Sequence, residues 1–222
     1  MIESVFKVGG KLIRGNRLRK LCLHLEKIGC RHRILLVPGG GPFADTVRVQ
    51  DTSYGLSDGA AHWMAILAMD QYGHLLADLI PRSKLVRTID EAKKIAGSGR
   101  VPVLLPFEMM YHKDPLPQSW SVTSDSISAW IAKIARAPML VLLKDVDGLY
   151  IVDSGKEGGN KMLENISIDQ LSSSKGVDPY FAKIMKTSPL KLWVINGQNP
   201  ERAAELMSKG RTRGTCLLRS AF

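Results

Sequence analysis

The sequence predicts an α/β fold, a three-layer αβα sandwich with a mainly parallel central sheet. Short apolar runs alternate with stretches of helical period along the chain, which is the order of strand–helix–strand units. Residues 139–143 are continuously apolar, as a parallel strand covered on both faces requires. Stacked glycines follow the first two apolar runs, and sheets of this kind bind ligands at the carboxyl ends of their strands.

The first run, Phe6-Lys7-Val8, ends in Gly9-Gly10-Lys11. Leu18, Leu21, Leu25 and Ile28 then recur at spacings of three and four, one face of a helix that Gly29 closes. Residues 34–37 form the second strand and lead into Pro38-Gly39-Gly40-Gly41. A segment over 43–49 and a turn-rich stretch over 51–59 precede a long helix over 63–79, with a break or bend expected near Gly73. Strands around Leu85-Val86 and over 101–105 flank a short helix over 90–96. The next helix, over 124–137, carries Ile127, Trp130, Ile131 and Ile134 at helical spacing. Thr123 or Ser124 suits its N-cap, and Asp125 falls in its first turn, where a carboxylate is favoured. The strand over 139–143 runs into Lys144-Asp145-Val146-Asp147-Gly148-Leu149-Tyr150. A helix near 179–185, a strand over 190–195, a helix over 200–208 and a last strand over 216–218 complete the order.

The bulk numbers narrow the setting. With 222 residues, 45% hydrophobic and 23% charged, the chain suits one well-buried domain and no disordered tract. The apolar stretches at 63–69 and 139–143 are far too short for a bilayer, and the first residues lack a basic-then-apolar leader. Cys22, Cys30 and Cys216 are an odd, sparse set that fits a reducing cytoplasm, so a cytoplasmic protein without a membrane partner is expected. The net charge of +10 gathers at Arg14, Arg17, Arg19, Lys20, Lys27, Arg31 and Arg33 against the single acid Glu26. No aromatic interleaving or helix-turn-helix pattern accompanies that charge. It therefore reads as a solvated face with a field for anionic small molecules, and no nucleic-acid partner is expected.

The glycine turns themselves suggest phosphate. Glycine lets the backbone approach a ligand closely, and the N–H groups of a following helix start point at an anion. Several familiar chemistries fail. Gly10-Lys11-Leu12-Ile13-Arg14-Gly15 is followed by Asn16-Arg17 where a P-loop needs Lys-Ser/Thr. Gly39 to Ala44 fits the dinucleotide glycine pattern, but the acid at the required distance, Asp58, lies in the turn-rich stretch. Cys22 and His24 stand two apart on a helix and cannot share one ion. No G-x-S-x-G elbow is present.

The ordered set Lys7-Val8-Gly9-Gly10, Gly39-Gly40-Gly41, Thr123-Ser124-Asp125, the stretch from Leu142 to Tyr150, and Gly214-Thr215 resembles the amino acid kinase family. Each motif alone is weak, but together they span nearly the whole chain in the family's order. Within the family, the runs Pro42 to Arg48, Ala61 to Ile66 and Trp120 to Trp130 are most similar to the small kinases of methanofuran biosynthesis. Those enzymes convert an aminomethylfuran-methanol phosphate to its diphosphate. Uridylate, isopentenyl phosphate or acylamino-acid kinase activity, or a non-catalytic nucleotide-binding role, stay open as alternatives.

The resemblance implies one kinase domain over 1–222, with an acceptor-side lobe over about 1–120 and a nucleotide-side lobe over about 121–222. It implies ATP with Mg²⁺, the ion being held by phosphate oxygens and water rather than by a protein cage. A homodimer or higher homo-oligomer is expected. Lys7 would bridge the transferring phosphoryl group, and Asp125 would orient the catalytic lysines. Lys183, in the segment from Gly176 to Lys183, is the expected second lysine, with Asp178 as the alternative functional residue there. Gly9 and Gly10 would meet the transferring phosphate, and Gly39, Gly40, Gly41, Arg48 and His62 the acceptor. Lys144, Asp145, Asp147, Gly148 and Asn196 would meet the nucleotide. Lys11 departs from the family, which often has serine after the paired glycines.

Overall fold

The computed structural model describes residues 1–14, 17–151, 161–174 and 176–218. The first half of the chain alternates as the sequence predicts. It runs β1 (Ser4–Val8), α1 (Leu18–Gly29), β2 (Ile34–Pro38), α2 (Gly41–Tyr54) and α3 (Asp58–Leu79). Next come β3 (Ser83–Val86), α4 (Ile89–Gly97), β4 (Val101–Leu104), α5 (Phe107–Lys113) and α6 (Ser124–Ile134). The second half adds β5 (Met139–Lys144), β6 (Leu149–Ile151), β7 (Lys161–Leu163), β8 (Asn165–Ile166) and α7 (Ile168–Ser173). It ends with α8 (Phe181–Lys186), β9 (Lys191–Asn196), α9 (Glu201–Lys209) and β10 (Thr215–Leu217).

Among the described residues, eight strands make one sheet in the order β3-β4-β2-β1-β5-β9-β10-β8. Every pairing in it is parallel except β9 with β10. The chain fills the sheet on one side of β1 first and then crosses to β5 on the other. That makes the β1/β5 boundary the switch point, where a crevice opens beyond the strand ends. Register aligns those ends: Val8 sits opposite both Pro38 and Leu143, and Lys144 sits opposite Asn196.

Strand alternation sorts the core into two layers. Val5, Leu35, Leu140 and Leu142 pack against Ile127 and Ile131 of α6. Phe6, Val8, Leu36 and Val141 pack on the other face against Leu21 and Leu25 of α1. Lys7 belongs by parity to the Val5 face, so it emerges at the strand end beneath the start of α6.

The structure corrects two expectations about the first half. Residues 51–54 belong to α2 rather than to a turn; the turn begins at Gly55, with φ 63°, and Ser57 then caps α3 by accepting the Ala60 N–H. Thr52 and Ser53 read as turn formers, but their hydroxyls donate to the carbonyls of Arg48 and Val49 four residues back, inside the helix. At Gly73, α3 continues as a single helix to Leu79. A Cβ there would stand 2.9 Å from Leu105 Cδ2 and 3.4 Å from Pro38 Cγ, so the glycine allows close approach to the sheet instead of a bend. The short elements α5, α7, β8 and the antiparallel pair β6 and β7 went unpredicted, since runs of two to seven residues carry little periodic signal.

Candidate active site

The two glycine turns form one unit. The Gly9 N–H donates to the Leu143 carbonyl and the Gly39 N–H to the Val8 carbonyl, each at 2.8 Å. These bonds stitch the ends of β1, β2 and β5 together. A Cβ on Gly10 would collide with the backbone of Gly41, and one on Gly39 would stand 2.8 Å from the Gly10 nitrogen. Only glycine allows backbone to lie on backbone here, and Gly41 adds a φ of 57° as α2 begins.

Beneath this unit lies a buried cluster of opposite charges. Lys7 Nζ stands 2.8 Å from Asp125 Oδ1, and Lys144 Nζ donates to Asp125 Oδ2 at 2.7 Å. Lys7 is 5% exposed and Asp125 4%. Burial alone would raise the Asp125 carboxyl, but the Lys144 and Lys7 ammonium groups outweigh it and hold the pKa down at about 2. Lys7 is shifted below the usual lysine range by burial, which Lys144 reinforces and Asp125 opposes. Asp178 adds a second buried carboxylate whose field also acts on Lys7. The desolvation of such ions is costly, and the direct contacts among them offset it.

Asp178 fixes the helix that presents Asp125. Its Oδ2 accepts the N–H groups of Thr123 and Ser126, each at 3.0 Å, and the Thr123 hydroxyl at 2.8 Å. Its Oδ1 accepts the Ser126 hydroxyl and the Phe181 N–H. Thr123 is the N-cap residue of α6 as predicted, yet its side chain makes no capping bond; a carboxylate 52 residues downstream of Ser126 caps the helix instead. Asp178, the alternative at this segment, therefore sits against the cluster as a buried support.

Two recesses meet over Gly10 and Lys11. One, of about 240 Å³, is lined by Lys7, Gly9, Lys144, Asp145, Val146 and Gly176 as well. The other, of about 210 Å³, has Gly40, Gly41, Arg14, Arg48, His62 and Trp120 on its walls, with Ile66, Met69 and Ile127 behind. His62 is buried, and that burial lowers its pKa from the ordinary imidazole value, with Asp114 opposing. Most of the sequence-predicted residues are thus brought together: Lys7, Gly9, Gly10, Asp125, Lys144 and Asp145 around one recess, and Gly40, Gly41, Arg48 and His62 around the other. Gly39 lies just behind them, with Lys7 Cε 3.4 Å from where its Cβ would be.

Four predicted residues are placed elsewhere. Lys183 is exposed on α8, with its ammonium 5.0 Å from the Tyr180 ring centroid, and lines neither recess. Asp147 is engaged by Asn196 at 3.0 Å, Arg202 at 2.7 Å and Arg213 at 3.1 Å, and these partners pull its carboxyl below the usual range. Asn196 is therefore a partner of Asp147. Gly148 is buried where a Cβ would strike the Thr215 hydroxyl, and that hydroxyl accepts the Leu149 N–H at 2.8 Å. The cation that shares Asp125 with Lys7 is Lys144, assigned from sequence to nucleotide contact alone. Lys144 ends the apolar strand β5, and the parallel pairing of β5 with β1 brings it beside Lys7.

The comparisons with known proteins agree with this geometry. The chain matches the model of the amino acid kinase family over residues 4–196. It is 30% identical to the [5-(aminomethyl)furan-3-yl]methyl phosphate kinase of Methanocaldococcus jannaschii, over 91% of this chain and 92% of that protein. It is 26% identical to the uridylate kinase of Pyrococcus abyssi, over 96% and 98% of the two chains. Its fold is similar to the crystal structure of uridylate kinase from Archaeoglobus fulgidus, with a TM-score of 0.76 and 22% identity over 98% and 100% of the two chains. A family match over most of the chain, joined to a relative at this identity and coverage, places the protein among the kinases of the amino acid kinase family.

Proposed function

We propose that this kinase transfers the γ-phosphoryl group of ATP to a small metabolite that already carries a phosphate. The acceptor we favour is [5-(aminomethyl)furan-3-yl]methyl phosphate, giving the diphosphate. The observation that carries this reading is the 210 Å³ recess, cationic along one rim through Lys11 and Arg48, with Arg14 paired to Asp45 beside them, and apolar behind. Such a recess suits an anionic head on a compact body. The relative at 30% identity, a furan phosphate kinase, favours that acceptor over a nucleoside monophosphate. Uridylate kinases resemble the chain at 24–26% identity over most of its length, which keeps uridylate as the competing acceptor.

In this reading an oxygen of the acceptor phosphate attacks the γ-phosphorus from the Arg48 side. The bond to the β–γ bridging oxygen breaks, and ADP leaves with that electron pair. Lys7 and Lys144 neutralise the charge that spreads over the moving group, and the Gly9 and Gly10 turn lets them come close. Asp125 holds both ammonium groups in place and takes no proton, since its pKa of about 2 keeps it ionised. Lys11, at the junction, offsets the repulsion between two anionic substrates. Mg²⁺ would arrive with the nucleotide and supply further charge neutralisation. Asp145 is the carboxylate in the lysine recess that is not committed to an ion pair among the described residues.

The same reading assigns the N-terminal lobe to the acceptor and the C-terminal lobe to ATP. It also pairs the protein with a second copy through the outer side of α3 and α5, where Met64, Leu67 and Tyr111 are exposed. ADP release with equal concentrations of the furan phosphate, uridylate, isopentenyl phosphate and N-acetylglutamate tests the acceptor. The furan phosphate should give the highest kcat/KM; a higher value for uridylate would overturn the assignment.

A further inference from the structure

Two observations at the acceptor recess have no role yet. Trp120, in the loop between α5 and α6, donates its indole N–H to Asp51 Oδ2 at 2.7 Å. The Arg48 guanidinium carbon stands 3.9 Å from the centroid of the same ring. Arg48 and Asp51 are three apart on α2 and so occupy one helix face. The helix therefore grips the indole twice, by its edge through a carboxylate and by its face through a cation.

We infer that Asp51 and Trp120 are positioning residues that latch the 114–121 loop onto α2 and set Arg48 for the anionic group of the acceptor. A stacked guanidinium loses its rotational freedom and presents its N–H edge in one plane. That edge is what bidentate recognition of a phosphate needs. The stack also covers the apolar face of an arginine that is otherwise exposed, which leaves the donors directed along the recess wall. Asp51 supplies the second constraint. Without the indole hydrogen bond the ring can rotate about its side-chain torsions, and Arg48 loses the surface it lies on.

The loop is tied down at its other residues as well. Gln118 donates to Asp114 at 2.9 Å, and a Cβ on Gly59 would stand 2.7 Å from Gln118 Oε1, so the loop lies close on the start of α3. The Ser119 and Ser121 hydroxyls meet at 2.5 Å on either side of Trp120. Trp120 is the point at which this loop reaches α2, and the recess has its outer wall only while that contact holds. Specificity for a compact phosphorylated acceptor is in this way a property of residues that touch Arg48 rather than of Arg48 alone.

This inference rests on the proposed acceptor side, and the test separates the two. Trp120→Phe keeps a ring face and loses the N–H, Trp120→Leu loses both, and Asp51→Ala removes only the hydrogen-bond acceptor. With ATP and the furan phosphate, the acceptor KM should rise about fivefold in Trp120→Phe and Asp51→Ala and about thirtyfold or more in Trp120→Leu, with the KM for ATP unchanged. Equal rises in both KM values, or a Trp120→Leu effect no larger than that of Trp120→Phe, would overturn the latch. Inorganic pyrophosphate, titrated by calorimetry against the same proteins without ATP, gives the second readout. The variants should bind it more weakly in the same order. A wild type that binds pyrophosphate with that order but turns over none of the acceptors would sink the proposed reaction and leave the latch standing. Unchanged pyrophosphate affinity in all three variants would remove the latch, whatever the kinetics.

Discussion

The lysine recess and the acceptor recess share Gly10 and Lys11, yet they are held together by opposite means. Around the lysine recess the key groups sit at the ends of neighbouring parallel strands. Lys7 leaves β1 and Lys144 ends β5, with Leu142 opposite Lys7 in the register and Asp125 descending from α6 between their ammonium groups. Backbone hydrogen bonds fix their spacing before any side chain does. Around the acceptor recess, Arg48, His62 and Trp120 come from two helices and a loop, and side-chain contacts join that loop to α2. A rigid charge centre is thus joined to a wall that can be exchanged without disturbing the sheet. On the proposed reading, transfer chemistry and acceptor choice fall to different recesses.

The largest effect should come from breaking the charge centre. Asp125→Ala leaves two ammonium groups buried beside each other with no carboxylate between them. Removing one partner of a buried ion pair costs about 3–5 kcal/mol, so both the denaturation midpoint and the activity should fall. Lys7→Met removes one of the two like charges instead. It should leave the fold nearly as stable and still lower kcat about 10²–10³-fold, the usual loss for one preorganised donor. Urea denaturation alongside single-turnover kinetics distinguishes these outcomes. A Lys7→Met protein with near-normal kcat would show that the cluster is structural only.

A sharper comparison sets two lysines against each other. Lys144→Met should lower kcat about 100-fold, because Lys144 shares Asp125 with Lys7 and lines the recess. Lys183→Met should leave kcat and both KM values unchanged, because its ammonium lies over Tyr180 on the exposed side of α8. Steady-state kinetics on the pair decide which lysine is second in the reaction, and a loss in Lys183→Met alone would restore the sequence expectation.

The same contrast explains what the sequence made legible. Lys7, the glycine pairs and Asp125 were readable because each sits at a fixed offset from a strand or helix end, and periodicity marks those ends. The sequence marks Lys144 as a nucleotide contact but does not pair it with Lys7, since that pairing requires the strand order β1-β5 that no local pattern encodes. Trp120 with Asp51 lies further out of reach. The contact joins residues 69 apart through side chains alone, and nothing in either segment announces the other. The Gly73 bend failed for a related reason, because a glycine chosen for close packing against Leu105 looks the same in sequence as one chosen for flexibility.

The smallest expected effect tests whether the acceptor wall carries its own conflict. Asp70 on α3 lies next to Met69 of the recess and accepts the Phe107 N–H at 3.2 Å, which ties α5 to α3. Burial raises its pKa to about 6, against the lowering effect of that hydrogen bond and of Arg87. A carboxyl whose folded pKa lies above its unfolded value contributes stability that is complete below the unfolded pKa and is lost as pH rises through about 6. The wild type should therefore lose stability from pH 4 to pH 7 at this site. Asp70→Asn keeps a carbonyl oxygen for the Phe107 N–H and cannot ionise. Because Asp70 is partly exposed, solvent screening reduces the gain to about 1 kcal/mol, or a rise of about 2–4 °C in Tm at pH 7.5. At about pH 3.5, below the unfolded value of 3.8, the variant and the wild type should melt nearly together. Thermal melts at the two pH values check both signs, and a variant that loses stability at pH 7.5 would mean that the ionised carboxylate is what holds α5 against α3.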